Sequence, residues 1–381
     1  MKPTLLSSFQ EIRNQNIIAI KEAKEKGRKV AGIYCGYCPK ELVIAAGAIP
    51  VGLCGTSEEP IASAEEDLPR NLCPLIKSSY GFAVTDTCPY FHFSDLVIGE
   101  TTCDGKKKMF ELLGKIKPVH VMDLPKGQNR ESSLKLWYEE LLRLKGVIEE
   151  AFEVEITDQA LREAIHQTNE EIRVRKDLLD LNQHKPALIS GLDMLTTTYN
   201  VGFNVNRMEG IAMLDRLIDQ VRAMAKEGYC VGTKDTPRIM LTGTPVSGCQ
   251  KVISLVEECG GLVVAMQNCS GYTCTELRVD ESDLQDPLMI LADKYLKLPC
   301  SVMSPNPGRL DLIGRMIGDF QVDGVIDITL QACHTFNVES YQVAKLVKQE
   351  MGLPFLHIET DYSDLDQENL RVRIEAFLEM M

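Results

Sequence analysis

The stretch that decides the fold is KVAGIYCGYCPKELVIAAGAIPVGLC, residues 29–54. The run KVAGIYC predicts a strand, PKELVIAAGA predicts a helix, and IPVGLC predicts a second strand. A strand, a helix and a strand at this close spacing form a βαβ unit, in which the two strands lie parallel. The sequence therefore predicts an α/β fold with a parallel sheet.

The same alternation continues along the chain, on both sides of a helical stretch. Further predicted strands are SDLVIGETTC, PVHVMDLP, RIMLTG, GLVVAMQNC, DGVIDITLQAC and LPFLHIE. Between residues 129 and 227, apolar residues recur at three- and four-residue spacing, which predicts helices. We therefore expect two doubly wound parallel-sheet domains, residues 1–128 and 237–381, with a helical segment at 129–236 between them.

Composition and charge limit the kind of partner. The 381 residues are 44% hydrophobic and 25% charged, as in soluble globular proteins. A net charge of −14 argues against nucleic acid or an anionic membrane, because both attract clustered Lys and Arg. The sequence has neither a signal-peptide pattern nor a long apolar run. We expect a cytoplasmic protein that binds no nucleic acid and no membrane.

The 13 cysteines are the unusual feature of the composition. Disulfides are rare in a reducing cytosol, so these thiols fill the core, bind zinc or an iron–sulfur cluster, or take part in catalysis. Five of them directly follow predicted strands: Cys35, Cys54, Cys103, Cys269 and Cys333. Ligands of open parallel sheets bind beyond the carboxyl ends of the strands. These five cysteines could therefore share one crevice.

The other cysteines differ in placement. Cys73 precedes a predicted helix, whose N-terminus favours a thiolate. Cys88 and Cys300 lie in loops next to prolines. The cysteines interpreted as core or surface residues are Cys230, Cys249, Cys259 and Cys274. Cys38 forms a CxxC pair with Cys35, but the second pair of a zinc site does not follow, and only six histidines occur. The donor set favours sulfur-ligated iron over zinc.

Four motifs together resemble a known family. They are GIYCGYCPKELVIAAGAIPVGLCG (32–55), RNLCPLIKSSYGF (70–82), LVIGETTCDGKKKMFELL (96–113) and VDGVIDITLQACHTFNVES (322–340). The set is similar to the 2-hydroxyacyl-CoA dehydratase/benzoyl-CoA reductase family, and in particular to its single-subunit double-cubane cluster proteins. The resemblance implies two flavodoxin-like domains with an iron–sulfur cluster between them.

The resemblance also implies a set of cluster ligands. Three motifs, RNLC, TTCDG and LQAC, match those that hold the family's 4Fe–4S cluster. The ligands that they imply are Cys73, Cys103 and Cys333. A double cubane (8Fe–9S) needs three more thiolates. Strand-end and loop placement selects Cys35, Cys269 and Cys300, with Cys54 and Cys88 as alternatives. The role of Cys38 stays open between a spare thiol, a ligand and a redox-active thiol.

Members of the family receive low-potential electrons from a separate homodimeric iron–sulfur ATPase. The stretch GTPVSGCQKV (243–252) has the glycine spacing of a phosphate loop, but Cys249 and Gln250 replace its Lys and Ser or Thr. This departure agrees with ATP hydrolysis by a partner. We therefore interpret the chain as a homodimeric, anaerobic iron–sulfur oxidoreductase that transfers electrons to a small molecule.

Charged residues beside the predicted ligands suggest further roles. His334, next to Cys333, and Glu100, three residues before Cys103, are candidate proton donors. A hydrogen bond to a cluster sulfur is an equal interpretation of His334. Residues 106–108, three lysines, balance cluster charge, contact a partner or form a solvated helix face. Asp104 is expected to cap the helix that follows.

Two other functions stay open. The first is that of a 2-hydroxyacyl-CoA dehydratase component, a lyase with one 4Fe–4S cluster and a CoA pocket. The second is that of a non-catalytic electron-storage or cluster protein. Counting iron atoms and polypeptides separates a dehydratase from a reductase. Transfer of electrons to a small molecule separates a reductase from an electron-storage protein.

Overall fold

The structure is a computed structural model that describes residues 2–282 and 285–381. Within these residues, eight strands form two four-stranded sheets, and all pairs are parallel. The strands are β1 Val30–Ile33, β2 Ile49–Gly52, β3 Leu96–Glu100, β4 Val119–Met122, β5 Arg238–Gly243, β6 Leu262–Gln267, β7 Gly324–Leu330 and β8 Phe355–Thr360. Each lies inside a stretch predicted as a strand, except that β8 continues one residue further, to Thr360. The predicted α/β fold class is therefore confirmed.

Helices occupy the connections between the strands. The helices of the first half are α1 Leu6–Glu25, α2 Lys40–Ala45, α3 Ile61–Ala64, α4 Pro74–Val84, α5 Pro89–Phe93, α6 Asp104–Leu113, α7 Glu131–Phe152 and α8 Asp158–Asp180. Those of the second half are α9 Gly191–Val201, α10 Arg207–Lys226, α11 Gln250–Glu258, α12 Pro287–Leu296, α13 Pro307–Asp319, α14 His334–Lys345 and α15 Gln367–Leu378. Over the described ranges, no helix combines the length and apolar character that crossing a membrane requires.

The two sheets share one strand order, β2-β1-β3-β4 and β6-β5-β7-β8. In each, the chain first moves outward by one strand and then crosses to the other side of the first strand. Such a reversal of direction opens a crevice at the carboxyl ends of the two central strands. The order therefore identifies the ends of β1 and β3, and of β5 and β7, as the places for a ligand.

Burial along the strands explains why their sequences are almost continuously apolar. Strands β3, β5, β6 and β7 are buried along their whole length, whereas the edge strands β4 and β8 are partly exposed. Helices that cover both faces of a parallel sheet remove both sets of side chains from water. The sheets are thus rigid supports for the loops at their carboxyl ends.

Helix packing crosses the predicted domain boundaries. Phe9 of α1 belongs to the hydrophobic core of the second sheet, together with Leu195 of α9. Conversely, Leu291 of α12 packs in the core of the first sheet with Trp137 of α7. The division into 1–128, 129–236 and 237–381 stays a prediction, and the two halves interlock across it.

Substituting Trp137 should show how much this interlocking contributes to stability. Trp137 is fully buried, so Trp137→Ala should lower the free energy of unfolding by about 3–5 kcal/mol. Leu136→Ala is the matched control, because the Leu136 side chain is 55% exposed and its loss should change stability by less than about 0.5 kcal/mol. Urea unfolding measures both; equal destabilisation would contradict the packing of α7.

Candidate functional site

A cavity of about 880 Å³ is lined by loops that follow strands of both sheets. Nine of the thirteen cysteines line it: Cys35, Cys38, Cys54, Cys73, Cys103, Cys269, Cys274, Cys300 and Cys333. All six predicted cluster ligands are in this set. Cys88, an alternative ligand, does not line the cavity and lies directly before α5, packed against the core.

Three of these cysteines occupy equivalent positions at helix N-termini. Cys73, Cys103 and Cys333 are the residues directly before α4, α6 and α14. The Cys103 sulfur accepts a hydrogen bond, 3.5 Å long, from the backbone N–H of Lys106. The positive end of a helix stabilises a thiolate, so three separate helices favour negative charge at the cavity lining.

The thiols of Cys73 and Cys333 are neighbours that interact. Their interaction lowers the pKa of Cys333 to about 6 and raises that of Cys73. The expectation that Asp104 caps α6 was wrong, because Cys103 holds the capping position. Asp104 is exposed and pairs instead with Lys107, at 3.3 Å.

A second group of thiols lines another part of the cavity: Cys35, Cys269, Cys274 and Cys300. The thiols of Cys269 and Cys274 interact, and their interaction lowers the pKa of Cys274 to about 7. Burial raises the pKa of Cys35, and the Cys300 thiol adds to this effect. The group contains one thiol more than the three that were predicted.

Cys274 is the cavity cysteine that sequence reasoning interpreted as a core or surface residue. Cys274 is the last residue of the 3₁₀ turn Tyr272–Cys274 and does not directly follow a strand. A search for cysteines at strand ends therefore does not find it. The chain turns back sharply at Gly271, where a Cβ atom would lie 2.2 Å from the carbonyl oxygen of Met266. Two cysteines flanking a glycine in CSGYTC, directly after a strand, are the local signal for this turn.

The remaining cavity thiols have other surroundings. Cys54 donates a hydrogen bond to the carbonyl oxygen of Tyr34, at 2.9 Å. Cys38 is buried, and burial raises its pKa well above the usual range. Both line the cavity beside the two groups. Cys38 and Cys54 therefore add to the sulfur-rich lining but belong to neither of the two groups.

Lys106 places a cation inside this sulfur-rich cavity. It is buried, and its Nζ donates to the carbonyl oxygen of Tyr34 at 3.2 Å. Burial disfavours the charged ammonium, but the neighbouring acidic groups of Cys35, Cys54, Glu100 and Cys103 together outweigh that effect and raise the pKa of Lys106. Of the alternatives for the three lysines, a solvated face is wrong for Lys106 and fits Lys108, which is exposed and pairs with Glu111 at 2.7 Å.

The two candidate proton donors lie in different surroundings. His334 lines the cavity at the first position of α14. Glu100 is fully buried at the end of β3 and does not line the cavity. Neither carboxyl oxygen of Glu100 has a hydrogen-bonding partner within the described residues. Burial raises the pKa of Glu100 to about 7, so the group carries a proton up to nearly neutral pH.

The donor set fits a cluster better than a single ion. In the described part of the chain, no three His, Cys, Asp or Glu side chains converge closely enough to hold one metal ion. In a cubane, each cysteine ligates a different iron atom, so the thiolates must surround a volume and need not meet at a point. Nine thiols around 880 Å³ meet that requirement.

Thiols from both parallel sheets line one cavity. The fold and the candidate site therefore define a class of protein: a cysteine-rich protein with two flavodoxin-like halves and a candidate ligand site between them. The family profile described as 2-hydroxyglutaryl-CoA dehydratase, D-component, matches residues 35–381. The chain therefore belongs to this family. The family that the cysteine motifs predicted is thereby confirmed.

Relatives agree with this assignment. YjiM of Escherichia coli K12, described as a putative dehydratase subunit, is 46% identical over 381 residues, which is 100% of this chain and 98% of the relative. The (R)-phenyllactyl-CoA dehydratase beta subunit of Clostridium sporogenes is 24% identical, over 98% of each chain. One of the benzoyl-CoA reductase subunits of Thauera aromatica is 28% identical over 32% of this chain and 28% of the relative. Dehydratase and reductase subunits are thus both among the chain's relatives.

Proposed function

We propose that this protein is an iron–sulfur reductase component that holds a double-cubane cluster in the cavity and reduces a small molecule. The observation that supports this proposal is the number of cysteines. One 4Fe–4S cluster held by three cysteines would leave six of the nine cavity thiols without a ligand role. Two bridged cubanes would use six.

The proposed ligands form two sets of three. Cys73, Cys103 and Cys333, each preceding a helix, would hold one cubane. The second set consists of Cys35, Cys269 and Cys300. Cys274, which interacts with Cys269, is a fourth thiol beside this set. When bound, the cluster supplies storage and one-electron transfer at low potential.

Residues of the chain itself would assist this chemistry. Lys106 offsets the negative charge of thiolates and sulfides from inside the cavity. His334 lines the cavity and can therefore deliver a proton directly. Glu100 does not line the cavity but holds a proton in the protein interior. Apolar side chains such as Leu298 and Phe336 line the same volume and limit the access of water.

The electrons are proposed to come from a homodimeric iron–sulfur ATPase. The phosphate-loop-like stretch of this chain is poorly suited to bind ATP. Cys249 directly precedes α11, and its thiol faces the carbonyl oxygen of Asp361 at 3.6 Å. The Lys251 side chain is only 8% exposed and pairs with Asp366 at 2.5 Å. These contacts agree with ATP hydrolysis by a partner, and we propose that the chain itself forms a homodimer.

Anaerobic purification with counting of iron and sulfide tests this function. We expect about eight iron atoms per chain and a single kind of polypeptide, because each cubane contributes about four. About four iron atoms, together with a second polypeptide, would contradict the reductase. Zinc in place of iron would contradict any iron–sulfur function.

Dehydration is the second candidate function, and the relatives' names favour it. Both full-length relatives described above are named dehydratase subunits. A dehydratase would carry one cubane, held by Cys73, Cys103 and Cys333, and an acyl-CoA beside it. Incubation of the reduced protein with an electron-accepting small molecule separates the reductase from the electron-storage alternative, which transfers electrons only to another protein.

A further inference from the structure

One wall of the cavity is cationic. Three basic side chains line it and converge on a single carboxylate, that of Glu171 on α8. Lys40 Nζ lies 2.9 Å from Glu171 Oε2, and Arg175 Nη1 lies 3.3 Å from Oε1. The guanidinium of Arg207 also pairs with Oε2. We call Lys40, Arg175 and Arg207 the cationic wall.

The cationic wall carries more positive charge than the protein neutralises. Three cations share one carboxylate, so two positive charges remain. Lys294 also lines the cavity, but its charge is balanced by Glu41, 2.9 Å away. The two remaining positive charges of the cationic wall are only partly solvated, because the Arg207 and Arg175 side chains are 15% and 21% exposed. Charges that are partly removed from water interact strongly with a counter-ion.

The hydrogen-bonding capacity of the cationic wall is not fully used within the described residues. Arg175 donates through Nη2 to the carbonyl oxygen of Thr198 at 2.7 Å, but its Nε has no partner within the described residues. Each guanidinium presents five N–H donors in a planar fork, which matches the two oxygens of a carboxylate or an oxyanion. Glu171 occupies only part of this donor set.

The cationic wall adjoins the second group of cysteines. Lys40 and Arg175 both exert an electrostatic influence on the Cys274 thiol. We infer that the cationic wall binds the negatively charged group of a small anion, so that the substrate of the proposed reductase carries a carboxylate or a comparable oxyanion. This inference rests on the proposed function, because it assigns the substrate class of the same cavity. The reducible end of such an anion would then face the thiols.

The competing explanation is that the cationic wall only offsets the negative charge of the cluster. The two explanations differ in what a free anion does. A wall that is a binding site saturates with added anion, whereas a wall already neutralised by the cluster does not. They differ also in specificity, because a neutral molecule of the same shape cannot replace an anion at a binding site.

Acetate and acetamide provide the test. The iron-loaded protein, prepared without oxygen and in chloride-free buffer, is titrated with each by calorimetry and by the electron paramagnetic resonance signal of the reduced protein. We expect saturable binding of acetate and none of acetamide. Arg175→Gln and Arg207→Gln should each weaken acetate binding at least about tenfold, as expected when a charge-assisted hydrogen bond is lost. Arg175→Lys, which keeps the charge, should restore part of the affinity.

Arg173→Gln is the matched control. Arg173 lies on the same helix, pairs with Glu170 and Asp177 at 3.0 Å, and does not line the cavity. Its substitution should leave acetate binding unchanged. No saturable binding to iron-loaded protein, or equal binding by wild type and Arg175→Gln, would overturn the inference.

Iron counts on the same samples separate the inference from the proposed function. Protein that lacks iron but binds acetate through Arg175 would overturn the proposed function and leave the anion site standing. Protein with the full iron count and no acetate binding would overturn the anion site alone.

Discussion

Cys103→Ser is expected to remove at least about four of about eight iron atoms per chain, because a cubane that loses one of three thiolates is no longer held. The fold should persist. Serine is among the best residues at the position directly before a helix, so it can cap α6 as Cys103 does. Far-ultraviolet circular dichroism should therefore be unchanged, while the iron content and the visible absorption of the anaerobic protein fall.

Cys259→Ser is the control for this substitution. Cys259 directly follows α11 and does not line the cavity. Its sulfur lies 3.8 Å from a carboxylate oxygen of Glu375 and 3.9 Å from the guanidinium of Arg371. Its replacement should leave the iron content at the wild-type value. If the two variants hold the same amount of iron, Cys103 caps a helix and does not bind iron.

The sequence is sufficient to predict those parts of the site that depend on local patterns. Apolar runs mark all eight strands, and a parallel strand has its ligand-binding end at its carboxyl terminus. Cysteines that directly follow a strand could therefore be selected without knowing how the two sheets pack. All five of them line the cavity: Cys35, Cys54, Cys103, Cys269 and Cys333.

Features that depend on packing between distant segments were not predictable in this way. Arg175 and Arg207 reach the cavity because α8 and the start of α10 pack beside it, and no strand end precedes either residue. Glu100 is the opposite case, a residue that the sequence placed at the site. It follows an apolar run just before Cys103, yet its side chain is fully buried and does not line the cavity.

Lys106 was predictable in principle. Its position places it on the buried stripe of α6, three, four and seven residues before Met109, Phe110 and Leu113. The two lysines that follow are on other faces of the helix, and they hide this spacing in a run of three identical residues. A lysine in register with an apolar stripe indicates a buried cation that has a partner.

This buried cation leads to the second large expected effect. Reduction would add a negative charge to the proposed cluster, and the Lys106 ammonium would stabilise that charge from within the cavity that it lines. Lys106→Met should therefore make the cluster's reduction potential more negative, by on the order of 50–100 mV for an interaction of about 1–2 kcal/mol. Anaerobic potentiometric titration followed by electron paramagnetic resonance measures the shift.

Lys108→Met supplies the comparison on the same helix. The Lys108 side chain is 69% exposed, so solvent screens its charge and the potential should not change measurably. Lys106→Arg keeps the charge and should return the potential to near the wild-type value, which a purely structural role of Lys106 does not predict. Equal potentials in Lys106→Met and wild type, at equal iron content, would show that this cation does not act on the cluster.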